Sequence, residues 1–314
     1  MAHFADRLVD AVDVKRNPCV VGLDPKFESI PAPLRNEVLG TAALTCESAA
    51  DAVRVFSREI IDIVAPRVPA IKVQAAYYER LGPPGYQAYV DTVAYAKSRG
   101  LIVIADVKRS DIGSTAEAYA EAHVGTTTIE GTDLFDLGAD ACTVNPYFGG
   151  DGVEPFVRQA LRHDRGVFVL VRTSNPSGES IQGLACKGVP LFMRVGALVH
   201  QWGKDYVGRK GYSNVGAVVG GTQPIDAQKL RRLMPQAYFL VPGYGAQGAS
   251  AMEAASAFDA RGRGAIVSSS RAIIFAHARS PYDRQFGVVR WRDAVAAATD
   301  AMVDDLRTVA GMLP

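Results

Sequence analysis

The sequence predicts an α/β protein with a single (β/α)8 (TIM) barrel, and three observations support this prediction. Eight short apolar runs alternate with helix-type amphipathic segments along the chain. The chain has 314 residues, which accommodates a barrel of about 250 residues together with insertions. Polar or charged residues follow most of the apolar runs, and the functional residues of such barrels lie at the carboxyl ends of the strands.

Each element is predicted from its hydrophobic period. The predicted strands are residues 19–23, 70–74, 101–105, 141–145, 166–172, 215–219, 237–241 and 264–267. The predicted helices are residues 4–14, 49–64, 86–97, 115–123, 153–162, 190–206, 225–233, 251–258 and 291–309. Residues 81–85 are predicted to form a turn, because they combine two glycines with two prolines.

The domain organisation follows from the absence of any segment long or biased enough to act as a linker. We predict one barrel domain over residues 1–314, with an N-terminal helix, a C-terminal helix and insertions near 26–46 and 178–213. The loop 179–189 is polar and contains glycine, which is typical of a mobile lid.

Composition excludes several classes of function. The net charge is +1 and no basic segment is present, which argues against nucleic acid as a partner. No apolar run approaches the ~20 residues of a membrane helix, and the early charges at Asp6, Arg7 and Asp10 are not those of a signal peptide. The four cysteines are widely spaced and the histidines form no metal-binding pair. We therefore predict a cytoplasmic protein with no membrane contact and no metal site.

The central motif is Asp-Val-Lys-Arg-Ser-Asp-Ile-Gly-Ser-Thr, at residues 106–115. Asp106 and Lys108 are two residues apart at the end of a strand, so they project to the same side, and Asp111 lies on the turn beyond. Charges this close to a buried strand are costly unless they pair. An ion pair that closes a strand end would explain an isolated Asp-x-Lys, but the second aspartate favours an active site.

Other strand ends carry further candidates. Lys72 lies in the neighbouring strand 70–74, which predicts a row of charges formed by Lys72, Asp106, Lys108 and Asp111; a structural salt-bridge network is the alternative. Asp24 stands alone after the first strand, and the sequence leaves open whether it caps a helix or accepts a bond from a sugar hydroxyl.

Two neighbouring strand ends predict a phosphate site. The loop 242–248 is glycine-rich and precedes a helix, so its backbone N–H groups can approach an anion. Residues 268–271 add three serines and an arginine. Phosphate sites in barrels are often formed by the loops after the seventh and eighth strands. We expect Asn145 and Thr222 to support neighbouring loops and not to belong to the site.

These residues resemble the pattern of the orotidine 5′-phosphate decarboxylase family, and of its second bacterial subgroup in particular. The central motif is similar to the family's Asp-x-Lys-x-x-Asp-Ile-x-x-Thr. The resemblance continues in order from about residue 20 to residue 275, through Asp24, Lys72, Ser174, Pro242, Gln247 and Arg271. Ser270 stands where the family's pattern has glycine, so only a backbone contact is expected there.

The resemblance implies decarboxylation of orotidine 5′-monophosphate to uridine 5′-monophosphate in de novo pyrimidine synthesis, by a homodimer that uses no cofactor. It implies that Lys108 protonates C6, that Lys72, Asp106 and Asp111 complete the catalytic group, and that Asp111, Ile112 and Thr115 reach the partner's site. The implied substrate-binding residues are Asp24, Ile112, Thr115, Ser174, Pro242, Gln247, Ser270 and Arg271.

Two alternatives remain at the level of sequence. One is a metal-dependent sugar-phosphate decarboxylase of the same superfamily, although Lys72 puts a cation where an acidic metal ligand would be needed. The other is a non-catalytic nucleotide-binding barrel. The sequence does not assign a role to Tyr244 or to the two insertions.

Overall fold

The computed structural model describes residues 3–245 and 248–312, and its centre is a closed barrel of eight parallel strands. The barrel strands, numbered in chain order, are Cys19–Leu23 (β1), Ala70–Gln74 (β2), Ile102–Arg109 (β3), Ala141–Val144 (β4), Gly166–Arg172 (β5), Ser213–Val219 (β6), Ala237–Pro242 (β7) and Ala265–Ser269 (β8). Each strand pairs with its neighbours in sequence, and β8 closes on β1. The predicted (β/α)8 barrel is confirmed.

Helices surround the barrel, and one of them closes its amino-terminal end. They are Phe4–Lys15 (α1), Ala32–Leu39 (α2), Cys46–Val64 (α3), Ala76–Glu79 (α4), Gly82–Ser98 (α5), Gly113–Val124 (α6), Gly150–Arg162 (α7), Glu179–Gln182 (α8), Leu191–Gly203 (α9), Pro224–Leu233 (α10), Ala251–Ala255 (α11), Arg271–Ile274 (α12), Tyr282–Gln285 (α13) and Trp291–Val309 (α14). No helix in the described ranges is long and apolar enough to cross a membrane.

The N-terminal helix α1 closes the bottom of the barrel. Its buried apolar residues belong to the same cluster as the inward-facing side chains near the strand starts. Phe4 meets Phe168 edge to face at 6.1 Å. A Cβ on Gly166 would lie 2.2 Å from the Phe4 ring, so only glycine allows this approach. Because α1 fills this end, the described barrel is open at the carboxyl ends of its strands.

The outer layer depends on long amphipathic helices. In α3 the buried residues include Val53, Phe56 and Ile60, which face the strands. A reciprocal capping box between Thr45 and Ser48 starts the helix at Cys46. The predicted helix 49–64 is therefore three residues longer at its start.

The predicted turn at 81–85 was wrong, because these residues enter α5. Pro83 and Pro84 occupy the first turn of the helix, where a missing backbone N–H costs no hydrogen bond. The prediction also missed the short helix α4.

The third strand is longer than predicted, since β3 runs to Arg109 and contains the first part of the central motif. The segment after α6, to which the sequence assigned nothing, forms an antiparallel pair of strands, Thr127–Ile129 and Thr132–Phe135.

The two predicted insertions are folded against the barrel. The first contains a 3-10 turn at Phe27–Ser29 and helix α2. The second contains α8, a small hairpin of Ala185–Cys186 with Val189–Pro190, and α9. The mobility of loop 179–189 and the extent of the single domain stay predictions.

Candidate active site

A cavity of about 400 Å³ lies at the carboxyl ends of the barrel strands. This volume is within the usual range for small-molecule sites. The structure brings eight of the predicted site residues together in its lining: Asp24, Lys72, Asp106, Lys108, Ser174, Pro242, Ser270 and Arg271.

At the β2–β3 side of the cavity, a buried carboxylate lies between two lysines. Lys72 is 7% exposed and Asp106 is 4% exposed. The Nζ of Lys72 lies 2.5 Å from Asp106 Oδ2, and the Nζ of Lys108 lies 2.5 Å from Asp106 Oδ1. Gln74 donates to Oδ2 at 2.9 Å and Thr143 donates to Oδ1 at 2.9 Å. Four hydrogen bonds therefore converge on one carboxylate.

The charges of this group stabilise one another. Burial alone would raise the pKa of Asp106, but the ammonium groups of Lys72 and Lys108 outweigh burial and hold that pKa well below its usual range. Burial would likewise lower the pKa of Lys72, yet the carboxylates of Asp106 and Asp24 raise it above its ordinary value. Lys72 is therefore an ammonium and Asp106 a carboxylate at neutral pH.

Asp24 presents an unpaired carboxylate oxygen. Within the described chain its Oδ1 is buried and has no hydrogen-bond partner. A buried carboxylate oxygen without a partner costs free energy, and a hydroxyl of a bound ligand would supply the missing bond. Because this side chain caps no helix among the described elements, the geometry favours the hydroxyl-acceptor interpretation that the sequence left open.

The opposite side of the cavity is formed by the ends of β7 and β8. Gly243 and Gly245 have φ values of +110° and +71°, a conformation that favours glycine and turns the backbone tightly. Ser269 donates to the Tyr244 carbonyl at 3.3 Å. The Arg271 guanidinium is exposed and has no ion-pair partner among the residues described. Gln247 lies outside the described residues.

Tyr244 and Ser270 have contacts that the sequence did not reveal. The Tyr244 hydroxyl donates to Asp305 of α14 at 2.7 Å, so it points to the outer helix layer. The Ser270 side chain fits because residue 22 is glycine: a Cβ there would lie 1.9 Å from Ser270 Oγ.

The loop residues behave as the sequence predicts. Thr222 donates to the Ser174 carbonyl at 3.2 Å, and Asn145 accepts from the backbone N–H of Tyr147 at 3.1 Å. Both side chains thus support loops, and neither Asn145 nor Thr222 is among the described residues that line the cavity.

Three predicted residues are not brought into this cavity. Asp111, Ile112 and Thr115 lie outside its lining, and Ile112 is 53% exposed. The chain leaves β3 after Arg109 and turns outward into α6. The predicted row of four charges is therefore a group of three in this chain. The assignment of Asp111, Ile112 and Thr115 to a partner's site stays a prediction.

Two residues that donate to the Asp106 carboxylate were missed by the sequence prediction. Gln74 is two residues after Lys72 on the same strand. The strand period alone therefore predicts that the two side chains project from the same side of the strand. Thr143 is two residues before Asn145 and looked like an ordinary β-branched strand residue.

No group of three or more histidine, cysteine, aspartate or glutamate side chains, within 3–245 and 248–312, has a metal-binding arrangement.

The closed barrel, with its charged cavity at the carboxyl ends of the strands, defines a (β/α)8-barrel protein with an enzyme-type site. The chain belongs to the orotidine 5′-phosphate decarboxylase / HUMPS family, whose model matches residues 41–280.

Similar proteins are found both among sequences and among solved structures. The chain is 45% identical over 307 residues to an orotidine 5′-phosphate decarboxylase of Rhodopirellula baltica, covering 98% of this chain and 100% of that protein. It is 38% identical over 277 residues to the protein of that name from Caldicellulosiruptor bescii, covering 88% and 91% of the two chains. The OMP decarboxylase structure from Leishmania donovani matches with a TM-score of 0.72 and 27% identity, over 98% of this chain and 99% of that one.

Proposed function

We propose that this protein is an orotidine 5′-phosphate decarboxylase, which converts orotidine 5′-monophosphate to uridine 5′-monophosphate in pyrimidine synthesis. The observation that carries the proposal is the buried group of Lys72, Asp106 and Lys108, in a chain 45% identical to a decarboxylase along nearly its whole length.

The cavity offers a separate contact for each part of this substrate. The glycine backbone at 243–245 and Arg271 would bind the phosphate. The unpaired Oδ1 of Asp24 would accept a bond from a ribose hydroxyl. The loop of Ser174 would meet the pyrimidine, which then presents C6 to Lys108.

The reaction breaks the bond between C6 and the carboxylate. The electron pair stays on C6 and carbon dioxide leaves. The Lys108 ammonium stabilises the developing negative charge and then donates its proton to C6. The substrate carboxylate would lie near Asp106, and this like-charge contact ends when carbon dioxide departs. Because these steps use only side chains of the protein, we propose a cofactor-free reaction.

The proposed active form contains two copies of the chain. Ile112, Tyr147 and Phe148 are apolar and 53%, 82% and 51% exposed, and apolar surface of this kind marks interaction sites. We propose a homodimer in which Asp111, Ile112 and Thr115 reach the partner's cavity. The exposed free thiols of Cys46 and Cys186 support a reducing, cytoplasmic location.

The first prediction concerns Lys108. We expect purified protein to remove orotidine 5′-monophosphate absorbance in EDTA, and Lys108→Ala to lose at least about 1,000-fold in kcat, because it removes both charge stabilisation and proton donation. Lys210→Ala is the control, since Lys210 pairs with Asp10 of α1 at the closed end of the barrel.

Each other outcome has a definite meaning. Near-normal turnover by Lys108→Ala would contradict the proposed role of that lysine. Activity that disappears in EDTA would support the metal-dependent alternative. A folded protein that binds uridine 5′-monophosphate but turns over nothing would be the non-catalytic barrel.

A further inference from the structure

Strand β3 bulges where it reaches the cavity. Its register against β4 advances by four residues on β3, from Ala105 to Arg109, but by only two on β4. Three residues of β3, at positions 106–108, therefore lie opposite the single residue Thr143. A bulge redirects side chains, and bulges are frequent next to active sites.

The bulge puts Lys108 in an unusual backbone conformation. Its φ is +47°, in the left-handed region that a non-glycine residue adopts only at a cost in free energy. A residue keeps such a conformation when surrounding contacts hold it, and residues of this kind are frequent at functional sites. The contacts that hold Lys108 are therefore informative.

The Thr143 side chain contacts both the backbone of Lys108 and the Asp106 carboxylate, which binds the Lys108 ammonium group. Thr143 is 1% exposed. Its Oγ1 accepts from the Lys108 backbone N–H at 3.0 Å and donates to Asp106 Oδ1 at 2.9 Å. The same Oδ1 binds the Lys108 Nζ at 2.5 Å. A single hydroxyl thus links the backbone of Lys108 to the carboxylate that holds its ammonium group.

The chemistry of threonine suits this position. A hydroxyl is both a donor and an acceptor, and Thr143 uses both capacities. Its β-branched side chain has few χ1 rotamers, so the direction of the hydroxyl is fixed. Valine would keep the shape, but it would leave the Lys108 N–H and one Asp106 oxygen each short of a partner.

We propose that Thr143 is a positioning residue, which holds the strained backbone of Lys108 and, through Asp106, orients its ammonium group toward the reacting carbon. This inference rests on the proposed function and extends it to a residue on β4. Thr143 acts through Lys108 and Asp106, and the proposal gives it no covalent step.

The test compares Thr143→Val, Thr143→Ser and Thr299→Val. Thr299 is the matched control, because it is also fully buried and donates one bond, to the Val295 carbonyl of α14 at 2.7 Å. We expect Thr143→Val to lower kcat by about 10- to 100-fold. The Kd for uridine 5′-monophosphate should stay within about threefold. Thr143→Ser, which keeps both bonds, should restore most of kcat, and Thr299→Val should keep it.

The outcomes separate this inference from the proposed function. If the wild type is active, a Thr143→Val kcat within about twofold of it overturns the positioning role, as does a loss of kcat that Thr143→Ser does not repair. If the wild type is inactive, the proposed function fails. A crystal structure of Thr143→Val then tests whether Thr143 positions Lys108. An unchanged Lys108 φ and an unchanged Nζ–Asp106 distance would overturn the inference; a displaced Lys108 supports it.

Discussion

Asp106 is the residue on which the contacts of the site converge. Its carboxylate accepts from two lysines, an amide and a hydroxyl, supplied by three neighbouring strands. A buried ion pair contributes little net stability when intact, but an unpaired buried charge is strongly destabilising. The arrangement therefore makes the site sensitive to the loss of any one partner. The Asp106 carboxylate also raises the pKa of Lys72, so that lysine stays charged beside a bound substrate.

Buried His123, at the end of α6, predicts a pH dependence of stability. Burial, assisted by the nearby Arg109 charge, lowers the pKa of His123 from 6.5 to about 4. The unfolded chain binds a proton at this histidine near pH 6.5 and the folded chain only near pH 4. Stability therefore falls as pH drops through this window, by about 3 kcal/mol at its lower end.

The measurement is urea unfolding between pH 7 and pH 4, for the wild type and for His123→Phe. We expect the variant, which has no proton to bind at this position, to lose less stability on acidification. The same slope in both proteins would contradict the assignment.

At the scale of elements, Arg172 joins the end of β5 to two helices. It is buried at 3% exposure. Its guanidinium donates to Glu179 of α8, and to Asp226 of α10 at 3.1 Å. The next residue, Thr173, is bonded to Gln182 of α8 through both its N–H and its hydroxyl. These contacts fix the loop that carries Ser174.

Removal of this anchor should loosen the loop of Ser174 and leave the buried lysines in place. We expect Arg172→Met to raise the KM for orotidine 5′-monophosphate by about tenfold, with a smaller change in kcat, because ground-state contacts to the pyrimidine are lost. Arg172→Lys should recover only part of the effect, since lysine lacks the planar fork. Steady-state kinetics measure both; an unchanged KM in Arg172→Met would show that the loop holds its position without the anchor.

At the scale of the whole molecule, the barrel has one closed end and one open end. Apolar side chains of helix α1 fill the amino-terminal end, and the cavity lined by Lys72, Asp106 and Lys108 lies at the other end. The segment with Asp111, Ile112 and Thr115 leaves this rim and remains on the surface. This segment belongs to the motif that the family resemblance assigns to an active site, yet it lies on the surface of this chain. A two-fold dimer would explain its position, because the segment could then reach the partner's cavity.

This arrangement predicts that activity depends on association. We expect Ile112→Asp, which puts a charge into the proposed interface, to be monomeric and to lose most of its activity, because each cavity then lacks the partner's residues. Sedimentation and turnover, measured at the same concentrations, test this. A monomeric variant with full activity would overturn the shared-site proposal. Val14→Asp, at an exposed position on α1, is the control.

The sequence by itself determined the barrel, its open end and eight of the residues that line the cavity. Strand and helix periods, together with charged residues after the apolar runs, led to Lys72, Asp106 and Lys108, since alternation along a strand is a local property. The same reasoning failed at 81–85, where two prolines begin a helix, because the missing N–H of proline suits both a turn and a first helical turn.

Only the tertiary structure decided which groups meet. The role of Thr143 depends on a bulge in β3 that sets three residues against one on β4, and no local pattern in either strand encodes that register. The separation of Asp111 from the group of Lys72 arises because the chain turns away after Arg109. The fit of Ser270 likewise depends on Gly22, on a strand nearly 250 residues away in the chain. Contacts between distant segments arise when the barrel closes. The hydrophobic period predicts that a barrel forms, but it does not specify which side chains then meet.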